Sequence, residues 1–289
     1  MYWNDVDHHL GELVEGHWMS HPAIRERINE RVSGDTACWP TQWFRERYAD
    51  RLPLRRALSI GCGTGGLERD LVRQGIVTEV TGFDLAEQPL AYSRAEAEAA
   101  GFGAAITYRV ADARDYLARE RELDAVFFHA SLHHFDRLSE LLGLVRRALR
   151  PDGLLYLDEY VGPSMHEWGP RLLLLPNLLY YLLPKSLRRP RLVRTPINRE
   201  DPTEAVCAGE ILDAVSEHFR VLDRRDYGGD LLALMYPNFR RPGQGPEAPT
   251  REVLEDAVRF LLDCEELLAR YPAITRSRPY HTVLVGTPR

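Results

Sequence analysis

Between Leu58 and Glu68 the sequence predicts a short apolar strand, a glycine-rich turn and the start of a helix. Gly61, Gly63 and Gly66 have the G-x-G-x-x-G spacing, in which glycines permit a tight turn that a Cβ atom would obstruct. Such a turn brings backbone N–H groups and a helix N-terminus against a bound ligand. The segment therefore predicts a nucleotide-cofactor site in an α/β fold, and by itself it fits more than one cofactor.

Strand-like and helix-like patterns alternate along most of the chain. The predicted strands are 55–60, 78–84, 105–111, 123–128, 153–159, 219–226 and 280–287. The predicted helices are 65–74, 88–101, 136–150, 203–217 and 250–270. This alternation is typical of parallel strands joined by right-handed crossovers. We therefore predict a doubly wound α/β fold with a seven-stranded, mostly parallel sheet.

The same pattern divides the chain into four parts. They are an N-terminal helical cap (1–50), a core (51–160), an inserted helical lid rich in proline (161–202) and the C-terminal part of the core (203–289). The last part carries a helical insertion at about 237–272, and Asp201 to Glu204 has the composition of a helix N-cap. Pro22 suits the first turn of a cap helix.

Residues that suit an adenosine ligand follow three of the predicted strands. In chain order they are Asp84 with Leu85, Asp112 with Ala113, and His129 with Ala130. In open α/β sheets, ligands bind beyond the carboxyl ends of the strands. A carboxylate at Asp84 accepts hydrogen bonds from ribose hydroxyls, and Asp112 with the Ala113 N–H matches the edge of adenine. These residues fit both a nicotinamide dinucleotide and S-adenosylmethionine (SAM).

The ordered set of motifs between residues 55 and 160 resembles the class I SAM-dependent methyltransferases that act on small molecules. The motifs are GCGTG (61–65), the aspartate after the second strand, ADA (111–113), SLHHF (131–135) and LRPDGLLYL (149–157). The resemblance implies that SAM is the methyl donor and S-adenosylhomocysteine the product. The cofactor-binding residues that it implies are Gly61, Cys62, Gly63, Gly65, Asp84, Leu85, Asp112, Ala113, His129 and Ala130.

One position departs from the family pattern. Ser59 stands where the family often has an acidic residue that helps to hold the methionine part of SAM. The resemblance then implies that the amino group of the cofactor relies more on backbone carbonyls and on the residues after the fourth strand.

Four candidate catalytic residues lie at the ends of the fourth and fifth strands. They are His133, His134, Glu159 and Tyr160. Methyl transfer requires mainly positioning, and a base helps when the acceptor is a hydroxyl or a protonated amine. Each of the four also has a structural alternative, as a packed side chain or a structural hydrogen bond. We predict no metal, because no acidic or cysteine ligand is adjacent in sequence to His129, His133 and His134.

The most apolar stretch of the chain is Leu172 to Leu183. It is too short to span a membrane, and Pro176 is expected to break it. We interpret it as a lid over the acceptor, with a homodimer contact or an interfacial membrane contact as alternatives. As a lid, it predicts an acceptor with a substantial apolar part.

Charge and cysteine content exclude several classes of protein. A net charge of −6 over 289 residues argues against a nucleic-acid-binding protein. Four scattered cysteines form no C-x-x-C motif, so neither a zinc site nor a disulfide framework is indicated. The chain has no signal-peptide pattern and no run long enough for stable membrane insertion. We expect a cytoplasmic protein.

The main hypothesis is therefore a bacterial SAM-dependent methyltransferase. It transfers a methyl group to oxygen or nitrogen of a small molecule, in natural-product or saccharide tailoring. Two alternatives stay open. One is a SAM-binding enzyme of the same fold that catalyses a cyclisation or an elimination, and the other is a nonenzymatic SAM-binding partner subunit.

Overall fold

The computed structural model describes residues 17–189, 191–194, 201–271 and 278–289. Residues 1–16 of the predicted cap lie outside the described residues, as do residues 190 and 195–200 of the predicted lid and the last residue of the predicted insertion. The division of the chain into four parts stays a prediction.

The described residues form one seven-stranded sheet. Its strands are β1 (Leu54–Ile60), β2 (Val77–Asp84), β3 (Ile106–Val110), β4 (Leu123–His129), β5 (Leu149–Tyr160), β6 (Phe219–Gly228) and β7 (His281–Pro288). Their order is β3-β2-β1-β4-β5-β7-β6. Strand β7 runs antiparallel to the other six strands. The order reverses between β1 and β4, where ligands bind in such folds. The predicted doubly wound, mostly parallel sheet is confirmed.

Helices cover both faces of this sheet. They are α1 (Pro22–Ser33), α2 (Pro40–Arg47), α3 (Gly66–Arg73), α4 (Glu87–Ala99), α5 (Ala113–Leu117), α6 (Leu138–Ala148), α7 (Pro170–Leu182), α8 (Ile211–His218), α9 (Leu232–Met235) and α10 (Arg251–Arg270). Helices α5, α6 and α8 pack in one hydrophobic core, and α1 to α4 pack with α9 and α10 in the core on the other face.

The two N-terminal helices belong to the packing of the sheet. Phe44 of α2 is fully buried, and its ring meets the edges of Phe127 at 5.9 Å and Tyr156 at 5.2 Å between centroids. Edge-to-face aromatic packing of this kind adds about 1 kcal/mol per pair to the burial of the rings. As predicted, Pro22 is the first residue of α1.

Two local predictions are wrong. The helix expected from residue 203 begins at Ile211, because Asp201 accepts hydrogen bonds from the N–H and hydroxyl of Thr203 within a turn. Short polar side chains often divert the backbone from a helix in this way. In addition, α7 continues through Pro176, whose buried ring packs inward.

Candidate active site

Two cavities lie at the carboxyl ends of the strands and meet beside β4. The glycine-turn cavity, of about 910 Å³, follows the turn between β1 and α3. The aromatic cavity, of about 1010 Å³, lies between α1, β5 and the segment after it. His129 and Ala130 line both cavities. Ala130 has φ +48°, a strained conformation for a residue other than glycine, and such strain is common at functional sites.

Nine of the ten predicted cofactor residues line the glycine-turn cavity. They are Gly61, Cys62, Gly63, Asp84, Leu85, Asp112, Ala113, His129 and Ala130. Gly65 does not line it. A Cβ at Gly65 would lie 2.4 Å from the hydroxyl of Tyr108, so this glycine is required by packing beneath the turn.

The carboxylate of Asp84 fixes the glycine turn. Its Oδ2 accepts a hydrogen bond from the N–H of Gly63 at 2.9 Å, and its Oδ1 accepts one from Ala86 at 2.9 Å. Each oxygen keeps a second lone pair for a ligand hydroxyl. Asp84 is not the N-cap of α4, because Ala86 holds that position.

Asp112 is the N-cap of α5. Its Oδ1 accepts a hydrogen bond from the N–H of Arg114 at 2.8 Å, and its side chain is 45% exposed. Asp112 therefore has a structural role in the turn before α5. Its Oδ2 lies 3.8 Å from the guanidinium of Arg114 and accepts no hydrogen bond from the helix, and Asp112 lines the glycine-turn cavity.

Glu68 is a buried acid in this cavity that the sequence analysis missed. Its side chain is fully buried, and among the described residues neither oxygen has a hydrogen bond of ordinary geometry, although the Ser59 hydroxyl lies close enough to lower the pKa of Glu68. Burial raises the pKa of Glu68, and the nearby Ser59 and His129 offset this only in part. An isolated buried carboxylate is unfavourable, so the position fits a cationic ligand group. The sequence signal was an acid three residues before Leu71, on the buried side of α3.

His133 and Glu159 form a buried pair in the wall of the aromatic cavity. The Nδ1 atom of His133 lies 2.7 Å from Oε2 of Glu159. The other carboxylate oxygen accepts hydrogen bonds from the N–H groups of Ser131 and Leu132. Glu159 thus fixes both the imidazole and the 3-10 turn Leu132–His134 that carries it.

The charges around this pair set its protonation. Burial by itself lowers the pKa of His133, but the Glu159 carboxylate, with Glu204 and Asp201, raises it above its ordinary value. Burial by itself raises the pKa of Glu159. The charge and hydrogen bond of His133, together with two backbone N–H groups, outweigh this and keep the pKa of Glu159 below its ordinary value. The pair therefore favours an imidazolium beside a carboxylate.

His134 faces the glycine-turn cavity, and its surroundings suit a structural role. Its Nδ1 lies 3.3 Å from the hydroxyl of Thr203 and 3.4 Å from Oδ2 of Asp201. Burial, together with the charge of His133, lowers the pKa of His134 to about 3. A neutral His134 ties the turn after β4 to the segment around Asp201.

In three dimensions an acidic side chain does lie beside two of the histidines. Ligand atoms of His133, His134 and Glu204 lie within 4.8 Å of one another. Glu204 is 70 residues away in sequence, so motif spacing did not reveal it. The prediction of no metal stays a prediction.

The geometry favours a structural role for Tyr160 over the predicted acid–base role. Its hydroxyl donates a hydrogen bond to the carbonyl of Pro163 at 3.0 Å, and burial raises the pKa of Tyr160 far above its ordinary value. Its ring packs edge-on against His133 at 6.0 Å and His281 at 5.3 Å between centroids. Tyr160 therefore packs against the His133–Glu159 pair and helps to hold the imidazole of His133 in place.

Aromatic side chains form much of the wall of the aromatic cavity. They are Trp18, Trp39, Trp168, Tyr160, Tyr227, Tyr280 and His281. Arg25 and Asp158 add charge to this wall, and neither belongs to a motif in the sequence. Arg25 lies 4.4 Å from the ring of Trp39, and Asp158 accepts a hydrogen bond from the hydroxyl of Tyr227 at 2.7 Å. The wall suits a large acceptor with aromatic or apolar surface.

Residues 58–157 match the family model of a methyltransferase domain. The match contains the glycine turn, the ends of β2 to β4 and most of β5, and therefore nearly the whole wall of the glycine-turn cavity. The matched residues form a methyltransferase domain, and this segment is similar to the class I SAM-dependent methyltransferases. SAM is the cofactor of this methyltransferase core, and the dinucleotide alternative is set aside.

The methyltransferase core is similar to parts of two relatives. The 27-O-demethylrifamycin SV methyltransferase of Amycolatopsis mediterranei is 27% identical over 164 residues, 55% of this chain and 53% of that protein. The fatty-acid O-methyltransferase of Mycolicibacterium smegmatis is 32% identical over 115 residues, 39% of this chain and 40% of that protein. The chain thus matches about half the length of these relatives.

Solved structures extend the likeness of the fold beyond the core. Geranyl diphosphate C-methyltransferase from Streptomyces coelicolor has a TM-score of 0.55 at 13% identity, with 100% of this chain and 95% of that chain covered. The cyclase SpnF has a TM-score of 0.50 at 18% identity, with 87% and 84% covered. At these identities the likeness shows the fold alone.

Proposed function

We propose that this chain transfers the methyl group of SAM to an oxygen of a small, largely apolar molecule, with nitrogen as the second choice. The observation that carries the proposal is the His133–Glu159 pair, which lines the aromatic cavity close to its junction with the glycine-turn cavity. SAM supplies an activated methyl group when it is bound. The protein then has to place the acceptor and exclude water.

The chain holds the cofactor with residues of the glycine-turn cavity. Glu68 accepts hydrogen bonds from the ammonium group of the methionine part, and so replaces the acid that is missing at Ser59. Asp84 accepts from the ribose hydroxyls, while Asp112 and the Ala113 N–H contact the adenine. The support for Glu68 is its burial without a hydrogen bond of ordinary geometry among the described residues.

His133 serves as the base. Its Nδ1 is bound to Glu159, and in the neutral ring its Nε2, which lies 3.8 Å from Oε1 of Glu204, is the atom that takes the proton of an acceptor hydroxyl. Glu159 orients the ring and stabilises the imidazolium that forms. A base of this kind contributes about 100-fold or more to the rate when the acceptor is a hydroxyl. A neutral amine already has a free lone pair and needs no base. The presence of a base therefore favours an oxygen acceptor over a neutral amine.

The acceptor is a large molecule with apolar or aromatic surface. The cavity has room for it at about 1010 Å³, and its tryptophans and tyrosines favour stacking over the many hydrogen bonds that a saccharide needs. The two relatives are named for a rifamycin compound and for fatty acids, which are also largely apolar. We therefore propose a cytoplasmic bacterial enzyme of natural-product tailoring.

Methyl-labelled SAM tests this function. The purified protein is incubated with labelled SAM and a panel of hydroxylated aromatic and aliphatic compounds, and label is followed into organic-soluble product. We expect label in a hydroxylated acceptor with wild-type protein and transfer slower by about 100-fold or more with His133→Gln. Label that stays on SAM while an acceptor isomerises would favour the cyclase alternative. Turnover only with an added partner chain would favour the partner-subunit alternative.

A further inference from the structure

Helix α7 presents an apolar stripe to solvent. Leu174, Leu178, Tyr181 and Leu182 follow one another at spacings of four, three and one residues and share one side of the helix. They are 62%, 58%, 71% and 72% exposed. A helix at the surface of a globular protein normally turns such a stripe toward the core.

The opposite side of α7 is firmly attached, so the exposed stripe is a fixed surface. Tyr180 is fully buried, and its hydroxyl donates a hydrogen bond to the carbonyl of Asn238 at 3.0 Å. The side-chain amide of Asn177 bonds both the N–H and the carbonyl of Val193, at 2.8 and 3.1 Å. These contacts hold the segment after α7 alongside the helix.

The segment of the chain that carries the stripe is rich in positive charge. Residues 168–194 contain six cations and no aspartate or glutamate, although the whole chain has a net charge of −6. The cations are Arg171, Lys185, Arg188, Arg189, Arg191 and Arg194. Among the described residues, none of them forms an ion pair with a carboxylate. The guanidinium of Arg188 lies 5.0 Å from the ring of Tyr181, so at least this cation is next to the stripe.

We infer that this α7 surface, made of the apolar stripe and the six cations of the same segment, docks on the surface of an anionic lipid bilayer. Apolar side chains enter the boundary of the acyl chains, while arginine and lysine pair with lipid phosphates. The helix lies along the membrane, since none of the described helices is long and apolar enough to cross one.

Charge also distinguishes a bilayer from a second copy of this chain. A symmetric dimer through α7 would place the six cations of one copy near those of the other, which is unfavourable. An anionic lipid surface neutralises all of them at once. Each cation near such a surface strengthens binding by a factor of about five to ten.

The α7 surface adjoins the aromatic cavity. Trp168 lines that cavity two residues before α7 begins, and Leu234 of α9, the helix that packs on α7, lines it as well. If the proposed function holds, an apolar acceptor dissolved in the membrane would be delivered at the cavity wall. The docking itself does not depend on methyl transfer.

Sedimentation with lipid vesicles tests the docking with the whole chain. We expect the protein to pellet with vesicles of phosphatidylglycerol and phosphatidylcholine, to stay in solution with phosphatidylcholine alone, and to be released by high salt. The double variants Leu178→Glu/Tyr181→Glu and Lys185→Glu/Arg191→Glu should each bind at least about tenfold more weakly.

Two variants of similar exposure serve as matched controls. Leu267→Glu on α10 replaces a leucine that is 58% exposed, and Arg147→Glu on α6 removes an exposed arginine. Both should bind anionic vesicles like the wild type. Wild-type protein that ignores anionic vesicles would overturn the inference, as would double variants that bind normally. Self-association in solution that the same double variants abolish would assign the surface to a dimer and also overturn it.

Discussion

The Nδ1 atom of His133 lies 2.7 Å from Oε2 of Glu159, and the second oxygen of the same carboxylate holds the backbone of Ser131 and Leu132. One buried side chain thereby positions the imidazole and the loop that borders both cavities. Because all of its acceptor sites are used inside the protein, Glu159 acts through His133 and does not touch the acceptor. The proposed chemistry therefore depends on the pair, and the two residues have separable tests.

Replacing His133 by glutamine removes the proposed base. We expect kcat to fall about 100-fold or more, because proton removal from the acceptor is lost. Binding of SAM, measured by calorimetry, should be unchanged, since His133 lines the aromatic cavity. His166→Gln, at an exposed histidine, is the control. Wild-type kcat in His133→Gln would contradict the assignment.

Replacing Glu159 by glutamine shifts the pH profile. His133 acts as a base only when it is neutral, and its pKa lies above the ordinary value of 6.5. In the wild type, kcat/KM should therefore rise with pH and level off above that pKa. In Glu159→Gln the carboxylate that raises the pKa is gone, so the rise should move to lower pH and the plateau should fall. A lower plateau with an unmoved profile would mean that Glu159 only supports the fold.

Replacing Glu68 by glutamine tests the proposed ammonium contact. Loss of a charge-assisted hydrogen bond should weaken SAM binding by about 10-fold to 100-fold. Binding of 5′-methylthioadenosine, which lacks the amino-acid part, should not change. Without ligand, the variant should melt at the same or a higher temperature, because a fully buried carboxyl group whose charged form burial disfavours is removed. Equal loss of both ligands would argue against the contact, and Glu96→Gln is the exposed control.

Two glycines of the turn should respond differently to added side chains. A Cβ at Gly63 meets no atom within 4 Å, and the residue lines the glycine-turn cavity, so Gly63→Val should abolish SAM binding. Because Gly63 has φ +50°, we also expect a loss of about 1–2 kcal/mol of stability. A Cβ at Gly61 would lie 2.6 Å from that of Ser131, so Gly61→Ala should mainly lower the melting temperature. Normal SAM binding by Gly63→Val would remove the turn from the cofactor site.

Zinc should inhibit the enzyme, and chelation should not. A metal bound to His133, His134 and Glu204 would occupy Nε2 of His133, the proposed base atom. We therefore expect EDTA to leave turnover unchanged, added Zn²⁺ to inhibit it, and His134→Asn to weaken that inhibition. Activity lost in EDTA and restored by Zn²⁺ would replace the base with a metal.

Local patterns predicted the elements of the core well. Short apolar segments between turn signals located all seven strands to within a few residues, and strands such as β4 and β7 are buried along almost their whole length. The start of α8 was missed, since the same polar residues at Asp201 and Thr203 serve equally in a cap and in a turn. The predicted break at Pro176 was also wrong. The helix continues there because the buried packing of this proline offsets the backbone hydrogen bond that it cannot make.

The sequence by itself determined the fold class and the cofactor wall, since the glycine turn and the residues after β2, β3 and β4 are local signals in a fixed order. Only the tertiary structure decided which charges meet. It brought Glu159 and Glu204 to His133, left Glu68 without a hydrogen bond of ordinary geometry among the described residues, and turned the stripe of α7 outward. Those relationships join residues far apart in the chain, and their energies depend on burial and distance, which sequence spacing does not contain.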